Sequence, residues 1–105
     1  MTQFTVYKNK NPNTKKLYPY LVDVQTNLLD QLHTCVVIPL TKIDALENKP
    51  LKTLTPVIPI EGSPFLLLTP QLAGIARSDL GPEVADLSEH RNEIMGALDF
   101  LISGV

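Results

Sequence analysis

Residues 81–105 read GPEVADLSEHRNEIMGALDFLISGV, and their apolar spacing changes period from everything before them. Laid out at about 100° per residue, Leu87, Ile94, Ala97, Leu98 and Leu101 fall on one stripe, the pattern of a helix lying on a core. Asp86, with Glu89 or alternatively Ser88, can cap its start, and Gly104 suits a left-handed helix end. Asn92, Gly96, Asp99 and Ser103 take the opposite face. Phe100 lies well off the stripe and needs another partner surface.

Working back from this helix, prolines stand at 12, 19, 39, 50, 56, 59, 64, 70 and 82, which excludes long helices upstream and leaves short strands as the consistent reading. From Gln3 to Lys8, Phe4 and Val6 alternate with Thr5 and Tyr7, the period of a half-buried strand. Residues 8–16 are rich in turn formers and charge and read as a mobile hairpin loop. A second strand is expected from Leu17 to Gln25, with Pro19 at an edge, at a bulge or before regular pairing begins. Thr26 to Gln31 reads as a turn, and Cys35-Val36-Val37-Ile38 as a short strand stopped by Pro39. Thr55 to Ile60 and Pro64 to Thr69 flank Glu61-Gly62-Ser63 as a hairpin, and Gln71 to Ile75 suits one helical turn. With no internal repeat, residues 1–105 are expected to form one domain. It is mainly β, an antiparallel, partly open barrel or sandwich with the C-terminal helix packed alongside.

Composition narrows the function. Apolar residues make up 44% and charged residues 19%, with net charge −2, and the Lys and Arg residues are scattered. Direct binding of duplex DNA has no electrostatic footprint here. One cysteine and two histidines fall short of a structural zinc site or an intrachain disulfide, so no metal and no cofactor is expected. The N-terminal residues 1–8 lack the pattern of a signal peptide, and the apolar run Phe65 to Leu68 is far below the ~20 residues that cross a bilayer. The expected location is cytoplasmic, with no membrane partner.

Catalysis finds no constellation to stand on. His33 lies in a turn region and His90 on the helix, and neither is placed by spacing beside a nucleophile. Cys35, in a β-branched strand, reads as an inert buried thiol, with reactivity the minor reading. Asp23, Asp30, Asp44, Asp86, Glu89 and Glu93 are acid–base candidates only by type, because spacing pairs none of them in space. The glycines are isolated, so no phosphate loop is present. Lys8, Lys10, Lys15 and Lys16 lack interleaved aromatics and read as a solvated hairpin tip rather than an RNA contact. The C-terminal end differs. Phe100, Leu101, Ile102 and Val105 crowd apolar groups around the last helical turn, either to close one end of the monomer core or to form an interface.

Two segments carry a family resemblance. Val22-Asp23-Val24-Gln25 leads to Leu28-Leu29-Asp30 and Val36-Val37-Ile38-Pro39-Leu40. Glu83-Val84-Ala85-Asp86-Leu87-Ser88 is followed by Arg91 or His90, Asn92, Ile94, Ala97 and Gly104. Together with Gln3-Phe4 and Val6-Tyr7, they resemble the CcdB family of gyrase-poisoning toxins in order along nearly the whole chain. Residues 41–79 match loosely, and the loop from Asn9 to Tyr18 is longer here. The resemblance implies an SH3-like barrel-type sheet with a C-terminal helix, the CcdB/MazF-type toxin fold, assembled as a homodimer through Phe100, Leu101 and Val105. It implies a non-enzymatic toxin that inserts into the dimerisation region of the DNA gyrase A subunit and traps the gyrase–DNA cleavage complex. Gyrase-contacting positions of the family fall on Asp99, Ile102, Ser103, Gly104 and Val105, with Leu28 and Leu29 close by. Where this chain has Ser103, the family tail carries a tryptophan, expected to stack on an arginine of gyrase.

The same resemblance implies a CcdA-type antitoxin whose disordered segment folds onto the toxin, the joint complex repressing its own operon. DNA would then be met only through antitoxin or gyrase. An mRNA interferase of the MazF or Kid type is the alternative, since it shares the fold. An interferase needs acid–base groups beside a basic RNA groove, whereas the poison needs an intact apolar C-terminal tip.

Overall fold

The computed structural model describes residues 2–43, 51 and 53–104. Among these, the strands are β1 (Thr5–Asn9), β2 (Tyr20–Asp23), β3 (Thr34–Lys42), β4 (Val57–Ile60), β5 (Ser63–Leu67), β6 (Ala73–Ala76) and β7 (Leu80–Asp86), followed by helix α1 (Arg91–Ser103). They form one sheet in the order β4-β5-β3-β2-β1-β7, with β6 also paired to β3, and every pairing is antiparallel. The expected mainly β fold with a C-terminal helix is what the chain adopts.

Both faces of the central strands are covered. Val6, Val22, Ile38 and Leu40 point into the larger core, which Ile94 and Ala97 of α1 close. Tyr7, Leu21, Cys35 and Val37 alternate with them and meet Leu80 and Ile75 in a smaller second core. A strand buried on two sides reads as a continuous apolar run, which is why 35–38 shows no alternation. For the same reason β1 is not the half-buried strand expected from its spacing: Thr5, Val6 and Tyr7 are all buried.

Several boundaries move for identifiable reasons. Strand β1 starts at Thr5 rather than Gln3 because Phe4 adopts φ 71, outside the extended region, while its ring enters the core. Pro19 sits just before β2, where its carbonyl accepts from Asn9 N at 3.0 Å, so regular pairing begins at Tyr20. Residues 11–18 wind into a compact turn, with Lys15 N donating to Asn11 O and Tyr18 N to Thr14 O.

Pro39 does not stop β3, which continues to Lys42. On one side β3 pairs with β2 along 37–40; on the other its partner changes from β6, along 34–37, to β5, along 40–42. Pro39 stands at that handover. Its carbonyl accepts from Leu68 N at 3.0 Å, and the N–H it lacks is the donor that no strand there requires.

Further along the chain, the hairpin expected around Glu61-Gly62-Ser63 is present, with Ile60 opposite Ser63 and both turn residues at positive φ, the geometry that matches strand twist. Gln71 to Ile75 is not one helical turn. A 3-10 turn at Thr69–Gln71 precedes β6, whose weak local propensity is overridden by its ladder with β3.

Residues 80–86, read as the approach to the helix, are edge strand β7, which tolerates Pro82 because an edge need not donate on its open side. Asp86 Oδ1 accepts from Ser88 N at 2.9 Å and from Ser88 Oγ at 2.5 Å, but the 3-10 turn at Ser88–His90 begins from Leu87 and α1 from His90, each without a side-chain cap, so none of Asp86, Ser88 and Glu89 caps the helix. The helix ends at Gly104 with φ 75, whose N–H donates to Phe100 O at 2.9 Å. Among the described residues no helix is long and apolar enough to cross a membrane.

Candidate functional site

The stripe read from the sequence is the buried face of α1 with one residue ahead of it: Ile94 and Ala97 on the helix are buried, Leu98 packs on the larger core, and Leu87, expected on the helix, is buried just before the 3-10 turn that precedes it. Past Ala97 the helix carries no fully buried residue. Asp99, Phe100, Ile102, Ser103 and Gly104 are exposed, Phe100 to 41% and Ile102 to 78%, while Leu101 is half-buried. A tip that only closed the monomer core would not leave Phe100 and Ile102 in solvent. Ser103 Oγ donates back to Asp99 O at 2.7 Å, so the serine is satisfied within its own helix and presents little to a partner. Val105, expected both at the gyrase contact and in the dimer interface, lies outside the described residues, as does Asp44.

Leu28 and Leu29 sit on a 3-10 turn, Asn27–Leu29, between β2 and β3. Thr26 Oγ1 accepts from Leu28 N at 3.3 Å to cap it. Leu28 is 90% exposed, and Leu29 and Leu32 are each exposed to a little under half. Helix α1 seats Ile94 and Ala97 in the larger core, and its backbone comes nearest the turn at Thr69–Gln71 and the adjoining turn at Ser88–His90, with no comparable approach to the Asn27–Leu29 turn. The chain therefore offers two apolar surfaces, the helix tip and the turn.

Beneath that turn lies a polar cluster that sequence reading missed. Asp23 is buried at the end of β2. Its Oδ1 accepts from Gln25 N at 2.9 Å, and its Oδ2 lies 3.6 Å from an Arg77 terminal nitrogen. Burial pushes the Asp23 carboxyl above the ordinary carboxylate range, with the Gln25 amide and the Arg77 charge pulling it back. Cys35 and Tyr7 share this face. Burial and then the Asp23 charge raise the Cys35 thiol, so thiolate is scarce and the residue is the inert thiol expected. Tyr7 Oη is buried without a hydrogen-bond partner among the described residues, and burial raises its pKa first, Glu83 and Asp23 next. The separations of Asp23 and Arg77 in sequence carry no periodic signal; only the meeting of β2 and the segment after β6 on β3 brings them together.

A cleft of about 530 Å³ opens on the same face, floored by Leu21, Val37 and Ile75 and rimmed by Asn9, Asn11 and Asp79. Its rim is largely spent on the chain itself. Asn9 Nδ2 donates to Thr14 Oγ1 and Tyr18 O, Asn9 Oδ1 accepts from Asn11 N, and Lys10 Nζ donates to Ser78 O at 2.9 Å. The remaining acid–base candidates are dispersed: Asp86 serves Ser88, Glu93 meets His90 Nδ1 at 2.8 Å, and Asp30 and Glu89 are exposed. No group of three or more His, Cys, Asp or Glu residues is placed to hold a metal among the described residues.

A twisted antiparallel sheet closed by one C-terminal helix, with the helix tip left apolar and free, defines a small toxin-type fold. It is shared with the solved structure of an endoribonuclease in complex with its cognate antitoxin from mycobacterial species, at TM-score 0.73 and 14% identity over 94% of this chain and 91% of that one. The family model for CcdB protein matches residues 3–104, and the chain belongs to the CcdB family, toxins of toxin–antitoxin systems.

Proposed function

We propose that this protein poisons DNA gyrase by binding the gyrase A subunit and holding the cleaved DNA complex, without performing chemistry itself. The observation that carries this reading is the exposed helix tip, with Ile102 78% exposed beside Phe100 and Ser103. Fully burying one such aliphatic side chain on a partner contributes about 1.5–3 kcal/mol, roughly ten- to a hundredfold in affinity. Leu28 and Leu29 supply a second apolar contact at the turn. Phe100 and Leu101, with Val105, join two copies into a homodimer, and a CcdA-type antitoxin with a disordered segment neutralises the toxin and, with it, represses the operon. DNA is engaged only through those partners.

The test is to incubate purified protein with gyrase, supercoiled DNA and ATP and to look for accumulated cleaved DNA, with an Ile102→Ser variant alongside. Cleavage that rises with the protein and falls in the variant supports the reading. The second reading, an mRNA interferase, has the endoribonuclease neighbour in its favour, but likeness of fold does not carry activity. RNA cut by the protein in the absence of gyrase would establish it instead.

A further inference from the structure

The segment between β2 and β3 presents Leu28, Leu29 and Leu32 to solvent, yet its backbone is tied down more firmly than an idle loop requires. Arg77, the residue after β6, makes most of the ties. Its Nε donates to Leu32 O at 2.7 Å, a terminal nitrogen donates to Leu29 O at 3.2 Å, and its backbone N–H donates to His33 O at 2.8 Å. The other terminal nitrogen faces the buried Asp23 carboxylate at 3.6 Å. Gln25 Nε2 bridges Leu29 O and Thr34 O, and Gln3 N donates to Asn27 Oδ1 at 2.7 Å, so the turn is held from its other side as well.

Such an arrangement does not serve the core, because the leucines it orders point away from both hydrophobic clusters. It serves presentation. An exposed apolar turn left to fluctuate would have to be ordered on contact, and that entropy would be subtracted from affinity. We propose that Arg77 is a positioning residue that clasps the turn at 27–33 and holds Leu28 and Leu29 in the geometry their partner meets, with Asp23 as the buried anchor of the clasp. This inference rests on the gyrase-binding reading of the turn, which it deepens. Only a guanidinium fits the role, since its planar fork reaches two carbonyls and a carboxylate at once, whereas an ammonium is a single point donor.

Arg77→Ala strands the buried Asp23 carboxylate, so the decisive variant is Arg77→Lys, which keeps a cation beside Asp23 and loses the fork. Two readouts are taken on the full chain: heteronuclear NOE values of the Leu28, Leu29 and Asp30 amides, and affinity for the gyrase A dimerisation region. Leu28→Ser is the control. The expected result is an unchanged melting profile for Arg77→Lys, lowered NOE values confined to residues 27–33, and affinity weakened by about tenfold, in line with the ordering cost of a short segment. NOE values equal to those of the parent chain overturn the clasp. Lowered values with unchanged affinity overturn the positioning role, and Leu28→Ser then separates the causes. If that control also binds normally, the gyrase reading of the turn has failed; if it binds weakly, the inference about Arg77 has.

Discussion

Two aspartates with opposite surroundings give the protein opposite responses to acid. Asp23 is buried, so its carboxyl is raised; Asp86 is exposed and accepts two hydrogen bonds from Ser88, so its carboxyl is lowered. A raised folded-state pKa favours folding below the ordinary carboxylate value, and that advantage is lost as pH climbs through the folded pKa. The lowered Asp86 does the reverse, contributing above the ordinary value and losing its contribution as pH falls through its own. A carboxyl-carbon NMR titration is expected to place Asp23 above the ordinary value and Asp86 below it; the opposite order would refute the assigned environments. At Ser103 the expectation concerns binding. Ser103→Trp replaces a serine bonded to its own helix by a large ring at an exposed position, so affinity for the gyrase A dimerisation region is expected to rise about tenfold or more with little change in melting temperature. Titration calorimetry on both forms checks it, and equal affinities would move recognition to Ile102 and the Leu28-Leu29 turn. The helix tip was legible in the sequence because too many apolar residues crowd a single turn. The Asp23–Arg77 pair was not, because partners 54 positions apart (77 minus 23) meet only through the sheet.

Among the elements, α1 and the hairpin at Glu61-Gly62 were readable from residue spacing and turn chemistry, both local properties. β6 and β7 were not. Ala73–Ala76 has little intrinsic strand preference, and Leu80–Asp86 contains Gly81 and Pro82, so each exists by virtue of the strand beside it. Gly81 shows how tight that dependence is. A Cβ at this position would lie 2.6 Å from Lys8 O and 3.0 Å from Lys8 Cβ, where β7 and β1 approach across an irregular register. Gly81→Ala is therefore expected to destabilise the fold by about 1–3 kcal/mol, because the obstacle is backbone and cannot rotate away. Urea unfolding monitored by circular dichroism measures it, and a midpoint equal to that of the parent chain would mean that the β1–β7 edge gives way easily.

At the scale of the whole molecule, one copy leaves Phe100 and Ile102 uncovered while its two cores are otherwise closed. A homodimer at micromolar concentration is the expected state, with an unfolding temperature that rises with protein concentration as mass action requires. Light scattering showing a monomer, with a concentration-independent transition, would refute it. How such a sheet reaches the right alignment is a separate matter, and Pro39 bears on it. Three of the sheet's six pairings, β1–β7, β3–β5 and β3–β6, join distant parts of the chain, and topologies of that kind fold slowly enough to sample misaligned partners. A β5 or β6 slid along β3 would bring a carbonyl against the proline ring, where no proton is on offer, and a buried carbonyl left so costs about 1–3 kcal/mol. The imino acid in the middle of the longest strand thus acts as a proofreading mark, tolerated in one alignment and penalised in its neighbours.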